Sequence, residues 1–256
     1  MKKISCYLTI ILLLAAFSNA RAQNTAIGIR AGISIPNLTA GGSQQNPLNT
    51  GYSSRFGPDA GIFADFQISK LFSLQPMIEY SSQGGKKDGM QALATPPQVA
   101  QEYPPGQAPQ YLYANYNSTA KLNYLAIPVL AKFGWDFKNS PFRIYVDAGP
   151  FVSLLLSAKQ VTSGSSQLYT DPSGQQALPG GAQSFNANTD IKDQLHKADL
   201  GIEGNLGFAY HCHHGYFFIE GGGNYAFLNI QKGTANGKNN TGAGTVTAGY
   251  AFNLGK

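Results

Sequence analysis

Nine ionisable side chains in this 256-residue chain share one local setting, and their types could do chemistry together. Arg30, Asp65, Glu79, Lys132, Arg143, Asp147, Asp199, Glu203 and Glu220 each stand between two apolar, small or aromatic neighbours. On an extended backbone that spacing turns the charges to one face and their neighbours to the other. Gathered in an enclosed interior, six acids and three bases admit two chemistries. One is a structural network, because buried charges survive when paired and hydrogen-bonded. The other is a proton or ion path through a carboxylate that keeps its proton. The sequence favours the first, with Lys159 and Lys197 near the rim of the enclosure.

Two further groups carry weaker signals. His211-Cys212-His213-His214 offers soft metal ligands in a tight turn. No second ligand cluster stands at a recognised spacing, so the reading is a polar turn with no metal assigned. His196 lies close to Asp193 and Asp199, with serines such as Ser157 as conceivable nucleophiles. No nucleophile motif surrounds any of them, so no catalytic residue and no cofactor is assigned. An enzyme with a rim site acting on lipid or peptide stands as the alternative.

The elements that must position these charges alternate with period two. Eight segments do so, near Thr25–Ile35, Asp59–Ser69, Leu71–Ser81, Lys121–Trp135, Phe142–Lys159, Lys197–Tyr210, Tyr216–Ile230 and Gly244–Leu254. The apolar face of every segment is free of charge, as with Ile27, Ile29, Ala31, Ile33 and Ile35 in the first. An Arg or Lys turned into lipid at mid-depth costs about 2–4 kcal/mol, so lipid-facing strands require this segregation. A soluble sandwich also alternates, but it places charges on solvated faces. A soluble lipocalin-like binder would need the inverse, an apolar lumen and a polar exterior.

Connections between segments alternate in length. Those around Lys70, Asp136–Pro141 and His211–Gly215 are short; those around Pro36–Pro58, Ser82–Ala120, Gln160–His196 and Gln231–Ala243 are mostly long. Membrane barrels have tight turns at one end and extended loops at the other. The fold expected is therefore all-β, an eight-stranded antiparallel transmembrane β-barrel with short periplasmic turns and long external loops. The loops read as polar and flexible, and the five prolines of Thr95–Gln110 argue against regular structure there. Pro76, Pro128 and Pro150 fall inside segments and predict a bulge or break at each.

Lys2 and Lys3, the apolar run Ile10–Ala16 and Ala20-Arg21-Ala22 read as a signal peptide cleaved before Gln23. That divides the chain into an export segment, 1–22, and a barrel domain, 23–256. Loss of Lys2, Lys3 and Arg21 takes the formal net charge from +5 to +2. No basic stripe exists to neutralise phosphates, which excludes nucleic acid as a partner. The expected surroundings are outer-membrane lipid, with protein partners open at the external loops or periplasmic turns. Cys212 is the single cysteine past residue 22, so no internal disulfide can form. Thirty glycines and 12% aromatic residues, against a mean hydropathy of −0.18, point away from membrane helices and toward strands.

The stretch from Tyr124 to Phe133, YLAIPVLAKF, resembles the Y-L-x-I-P-x-L-x-K-[YF] signature of the PorT-like outer-membrane β-barrel family. Ala148-Gly149-Pro150-Phe151 and the following Leu154–Lys159 resemble it too, as do Gly28–Gly32 at the start and Gly249–Phe252 at the end. The resemblance covers essentially all of 23–256 and departs at Ala126, where many relatives carry an inward acid. It implies outer-membrane residence and makes Pro128 and Pro150 family features. Members of that family mostly have no assigned activity, and one branch supports protein secretion.

Overall fold

The computed structural model describes residues 25–40, 47–234 and 236–255; the expected export segment, 1–22, lies outside them. Eight long strands form the wall: β1 (Thr25–Ala40), β2 (Gly57–Gln67), β3 (Phe72–Lys87), β4 (Asn117–Asp136), β5 (Phe142–Ser163), β6 (Ala198–Cys212), β7 (Gly215–Ala226) and β8 (Asn239–Asn253). Each pairs antiparallel with the next, and β8 returns to β1 from Ala26↔Asn253 to Ala40↔Asn239. The ring is closed, so no strand edge is left unpaired in the wall.

The pleat sorts the side chains as the alternation requires. On β1, Ile27 and Ile29 are 51% and 63% exposed while Arg30 between its neighbours is 3% exposed. Ile62, Val129, Val146 and Ile202 face outward on β2, β4, β5 and β6, and no charged residue is among the exposed apolar band. At the end with the short turns this band closes in aromatic rings. Phe142 packs on Phe208 at 5.2 Å and on Tyr210 at 5.4 Å, and Phe217 packs on Tyr250 at 4.7 Å. Such rings sit at the boundary between hydrocarbon and water.

The three prolines interrupt the ladders where expected. Pairing of β3 with β4 runs to Pro76↔Val129 and resumes at Glu79↔Ala126. Pairing of β4 with β5 runs to Pro128↔Phe151 and resumes at Ala131↔Ala148, across Pro150. On these sides the ladders break beside rings that have no N–H to give, while Pro150 keeps its place opposite Ile202 in the β5–β6 ladder. At the turn end, Asn139 takes φ 59°, a left-handed conformation that asparagine tolerates.

The loop end differs from the sequence expectation. β4 and β5 run for 20 and 22 residues, about twice the 9–11 that cross the hydrocarbon core. Their outer halves stand clear of the membrane band and carry ordered structure. Met90–Ala94 pairs with Tyr111–Asn115 in a hairpin, and the proline-rich Thr95–Gln110 caps it with a one-turn helix, Pro97–Ala100. Tyr113 and Tyr169 exchange two backbone hydrogen bonds of 2.8 Å, tying the second long loop to the third. Beneath them Leu112, Ala114 and Leu168 form a small apolar core with Leu93, Val99 and Phe185 around it. The loops are therefore a folded layer, held by burial that the polar composition conceals. Within it, the Asp171 carboxylate accepts hydrogen bonds from the Ser173 hydroxyl and the Gln175 and Gln176 amides. The Ser173 hydroxyl, with these amides, holds its pKa down at about 2, so this turn keeps its charge through ordinary acidities.

The outward register can be tested directly. Ile62→Arg, Val129→Arg, Val146→Arg or Ile202→Arg should each cost about 2–4 kcal/mol in a reversible folding titration in lipid, and Gln107→Arg in the hairpin loop should cost little. Equal tolerance at all five positions would contradict this register.

Candidate functional site

The centre of the barrel is organised by Arg30 of β1. Its Nη2 donates to Glu79 of β3 at 2.6 Å and to Glu203 of β6 at 2.8 Å. Its Nη1 donates to Glu220 of β7 at 3.3 Å, and its Nε lies 4.0 Å from Asp59 of β2. The side chains of Arg30 and all four acids are at most 3% exposed. One guanidinium thus holds carboxyls from four other strands, a use to which its planar fork of donors is suited.

A second cation stands nearer the turn end. The Lys132 ammonium on β4 lies 3.7 Å from Asp65, donates to Gln75 at 3.1 Å and sits 3.8 Å over the Tyr145 ring. Neutral donors complete the network. Tyr145 donates to Glu220 and Tyr216 to Asp65, both at 2.7 Å. Asn205 bridges Asp147 at 2.9 Å and Glu203 at 3.1 Å, and Thr247 of β8 donates to Glu220 at 3.3 Å. All eight strands contribute a member. Carboxyls here outnumber the two cations, so these hydroxyls and amides supply donors that Arg30 and Lys132 cannot.

Of the nine charges singled out by alternation, seven meet in this arrangement: Arg30, Asp65, Glu79, Lys132, Asp147, Glu203 and Glu220. Asp199 is buried nearer the loop end, where its carboxylate accepts the backbone N–H groups of Leu200 at 2.8 Å and Leu228 at 3.4 Å. Arg143 also turns inward, but at the turn end of the lumen rather than in the central cluster: it lines the cavity there, donating to Asp136 at 3.1 Å and to the Lys70 carbonyl at 3.0 Å. Asp59 was not among the nine, although the second segment read from the sequence begins with it; it stands beside Pro58 near the start of β2. Its signal was present, because it keeps the two-residue phase of Gly61, Phe63 and Asp65.

Ring stacking along the wall makes room for these charges. A Cβ on Gly207 would stand 2.1 Å from Tyr145, and one on Gly28 would stand 2.2 Å from Phe63. Phe151 and Phe218 lie in the same way over Gly201 and Gly249. Each pair joins adjacent strands in register, so a ring lies flat against the wall where a neighbour lacks a side chain.

The lumen has three layers. At the turn end, a cavity of about 190 Å³ opens between Asp65, Lys132, Arg143, His211 and Tyr216. The Arg30 cluster follows. Toward the loops the interior becomes apolar, with Leu38, Leu122, Leu155, Leu195 and Ile230 all buried. This upper layer was not anticipated: Leu38 and Leu195 lie in stretches read as loops, and Leu122, Leu155 and Ile230 stand toward the loop ends of segments, where the alternation marked no apolar interior.

The weaker candidates are dispersed. His211 lies at the end of β6, 5.2 Å from the Tyr216 ring, while His213 and His214 form the two-residue turn and pack on each other at 4.5 Å. Among the described residues no group of three metal-ligating side chains converges. The Ser157 hydroxyl accepts from Asn123 at 3.0 Å, and no hydrogen bond links it or a carboxylate to the exposed His196 ring among the described residues.

A closed ring of eight strands, apolar outside and charged at its centre, defines an integral outer-membrane β-barrel. The chain belongs to the family described as outer membrane protein beta-barrel domain, which matches residues 18–232. Its location is the outer membrane, with short periplasmic turns and long external loops. Among solved structures it is similar to Neisserial surface protein A, at 16% identity and TM-score 0.40, over 89% of this chain and 98% of that one. It is similar also to the attachment invasion locus protein Ail of Yersinia pestis, at 9% identity and TM-score 0.36, over 90% and 100%. A third is the outer membrane protein OprG from Pseudomonas aeruginosa, at 13% identity and TM-score 0.36, over 90% and 97%. No curated protein matches the chain.

Removing the central cation should expose how much the wall depends on it. Arg30→Met leaves the three hydrogen-bonded acids without their guanidinium and should cost about 3–5 kcal/mol in a urea titration of the refolded barrel. Adding Glu79→Gln should recover part of that loss. A cost for Arg30→Met below about 0.5 kcal/mol, the range of an ordinary surface change, would contradict the arrangement.

Proposed function

We propose that this protein is a non-conducting, non-enzymatic outer-membrane barrel that works through its folded external layer, in a structural or secretion-associated role. The observation that carries the reading is the layer itself. A barrel needing loops merely as connections has no use for strands twice the membrane crossing, a hairpin, a cross-loop Tyr113–Tyr169 pairing and a private apolar core. Ordered loops on a rigid wall are where recognition surfaces arise.

The finer family assignment is part of the proposal. Tyr124–Phe133 and Ala148–Phe151 carry the PorT-like pattern, and both prolines of that pattern sit at ladder interruptions. A secretion-associated role follows from that resemblance, with protein partners at the external loops or the periplasmic turns. Export with removal of 1–22 is required to deliver the chain to its membrane. The rim-enzyme alternative is not favoured, because among the described residues neither an acid nor a serine is hydrogen-bonded to the histidine it needs.

Side-specific labelling tests the outward presentation of the layer. In a Cys212→Ser background, single cysteines at Gln107 and Gln175 should react with an impermeant maleimide on intact cells, and one at Lys138 in the β4–β5 turn should stay silent until the cells are broken. Labelling of Lys138→Cys alone on intact cells would reverse the barrel and remove the basis of this reading.

A further inference from the structure

The upper lumen holds a second cavity, of about 220 Å³, between the wall and the loop layer. Its walls include Leu38, Leu122, Leu195 and Ile230, each at most 6% exposed. Lys87, at the end of β3, is the one charged side chain among the described residues that line it. The rest of the polar lining is amide and hydroxyl, and no carboxylate is present there.

Lys87 is itself 8% exposed. Its ammonium donates to the Leu48 carbonyl at 2.8 Å and stands 4.5 Å over the Tyr52 ring. Among the described residues no carboxylate oxygen comes within 4.0 Å of it, whereas the neighbouring Lys86 pairs with Asp88 in the open. An ammonium has three donors, and here one carbonyl and one ring face serve it. A buried cation without a counter-charge is costly, and this one borders a space that an anion can enter.

We propose that this cavity binds a small monocarboxylate with an apolar body, its carboxylate on the Lys87 ammonium and its body against the leucine wall. The lining excludes a second charge, because nothing opposite Lys87 answers to a cation or to a further anion. The volume sets the size: an apolar cavity of about 150 Å³ accepts a benzene ring, so one ring or a short alkyl chain fits beside the carboxylate. The site lies on the external side of the Arg30 cluster, so the ligand is held at the outer face. This inference stands independently of any protein partner of the loops.

Benzoate is the direct probe, with benzyl alcohol and benzylammonium as neutral and cationic matches of shape. Titrated by calorimetry or ligand-observed NMR into the folded full-length barrel in maltoside micelles, benzoate should bind saturably and about tenfold or more tightly than benzyl alcohol, the scale of one charge-assisted hydrogen bond. Benzylammonium should not bind. Lys87→Met should abolish the preference for benzoate over the alcohol, and Leu122→Trp, which fills the space without touching the charge, should abolish both. Heat-modifiable migration on gels shows that each variant remains a folded barrel; if Lys87→Met does not fold, Lys87→Gln and the ligand series on the unaltered protein decide. Absence of saturable benzoate binding, equal binding of the three probes, or unchanged benzoate binding in the folded Lys87 variant would overturn the proposal.

Discussion

A guanidinium in the middle of a narrow barrel must be answered by acids from several directions, and that requirement orders the whole wall. Arg30 reaches carboxyls on β2, β3, β6 and β7, which face one common interior only when the sheet is closed. In an open sheet β3 and β6 would be far apart, and the Arg30–Glu79 and Arg30–Glu203 contacts could not share one nitrogen. The charge cluster and ring closure are therefore the same event. Each stabilises a register in which the other can form, since a one-residue slip would turn Arg30 or its partners into lipid.

The interior of an eight-stranded barrel is just wide enough for side chains to fill. Packing six carboxyls, two cations and four large aromatic rings into it depends on where side chains are absent. Glycine at 28, 201, 207 and 249 lets Phe63, Phe151, Tyr145 and Phe218 lie along the wall and leaves the axis to the charges. The Tyr145 ring then serves Lys132 with its face and Glu220 with its hydroxyl. Composition that reads as weakness in a strand, many glycines and few aliphatic inward residues, is what fits this core.

Much of this was legible in the sequence, for a physical reason. A strand repeats every two residues, and lipid tolerates no charge at mid-depth, so the faces of all eight strands and most lumen charges could be read from alternation alone. The prolines were legible as interruptions because a ring nitrogen cannot donate. Other features depend on distant parts of the chain and left no periodic mark. The outer extensions of β4 and β5 carry Ser, Thr, Asn and Gln, which alternate in nothing obvious, and their order comes from pairing with each other. The hairpin beneath the proline-rich segment depends on Leu112 and Leu168 meeting across more than fifty residues. Asp59, left out of the nine, and Arg143, which sits below the central cluster, lie near strand ends, where phase alone does not say how deep a side chain sits.

The central claim is that the barrel is closed along its axis by the Arg30 and Lys132 networks, with polar and apolar layers on either side. Conductance across a planar bilayer tests this most directly, because it reads the axis and nothing else. Purified, refolded protein, verified as inserted, should give no stable unitary current across the ordinary range of voltage and salt. A steady ohmic conductance at a defined level would show an open path through the lumen and would contradict the account.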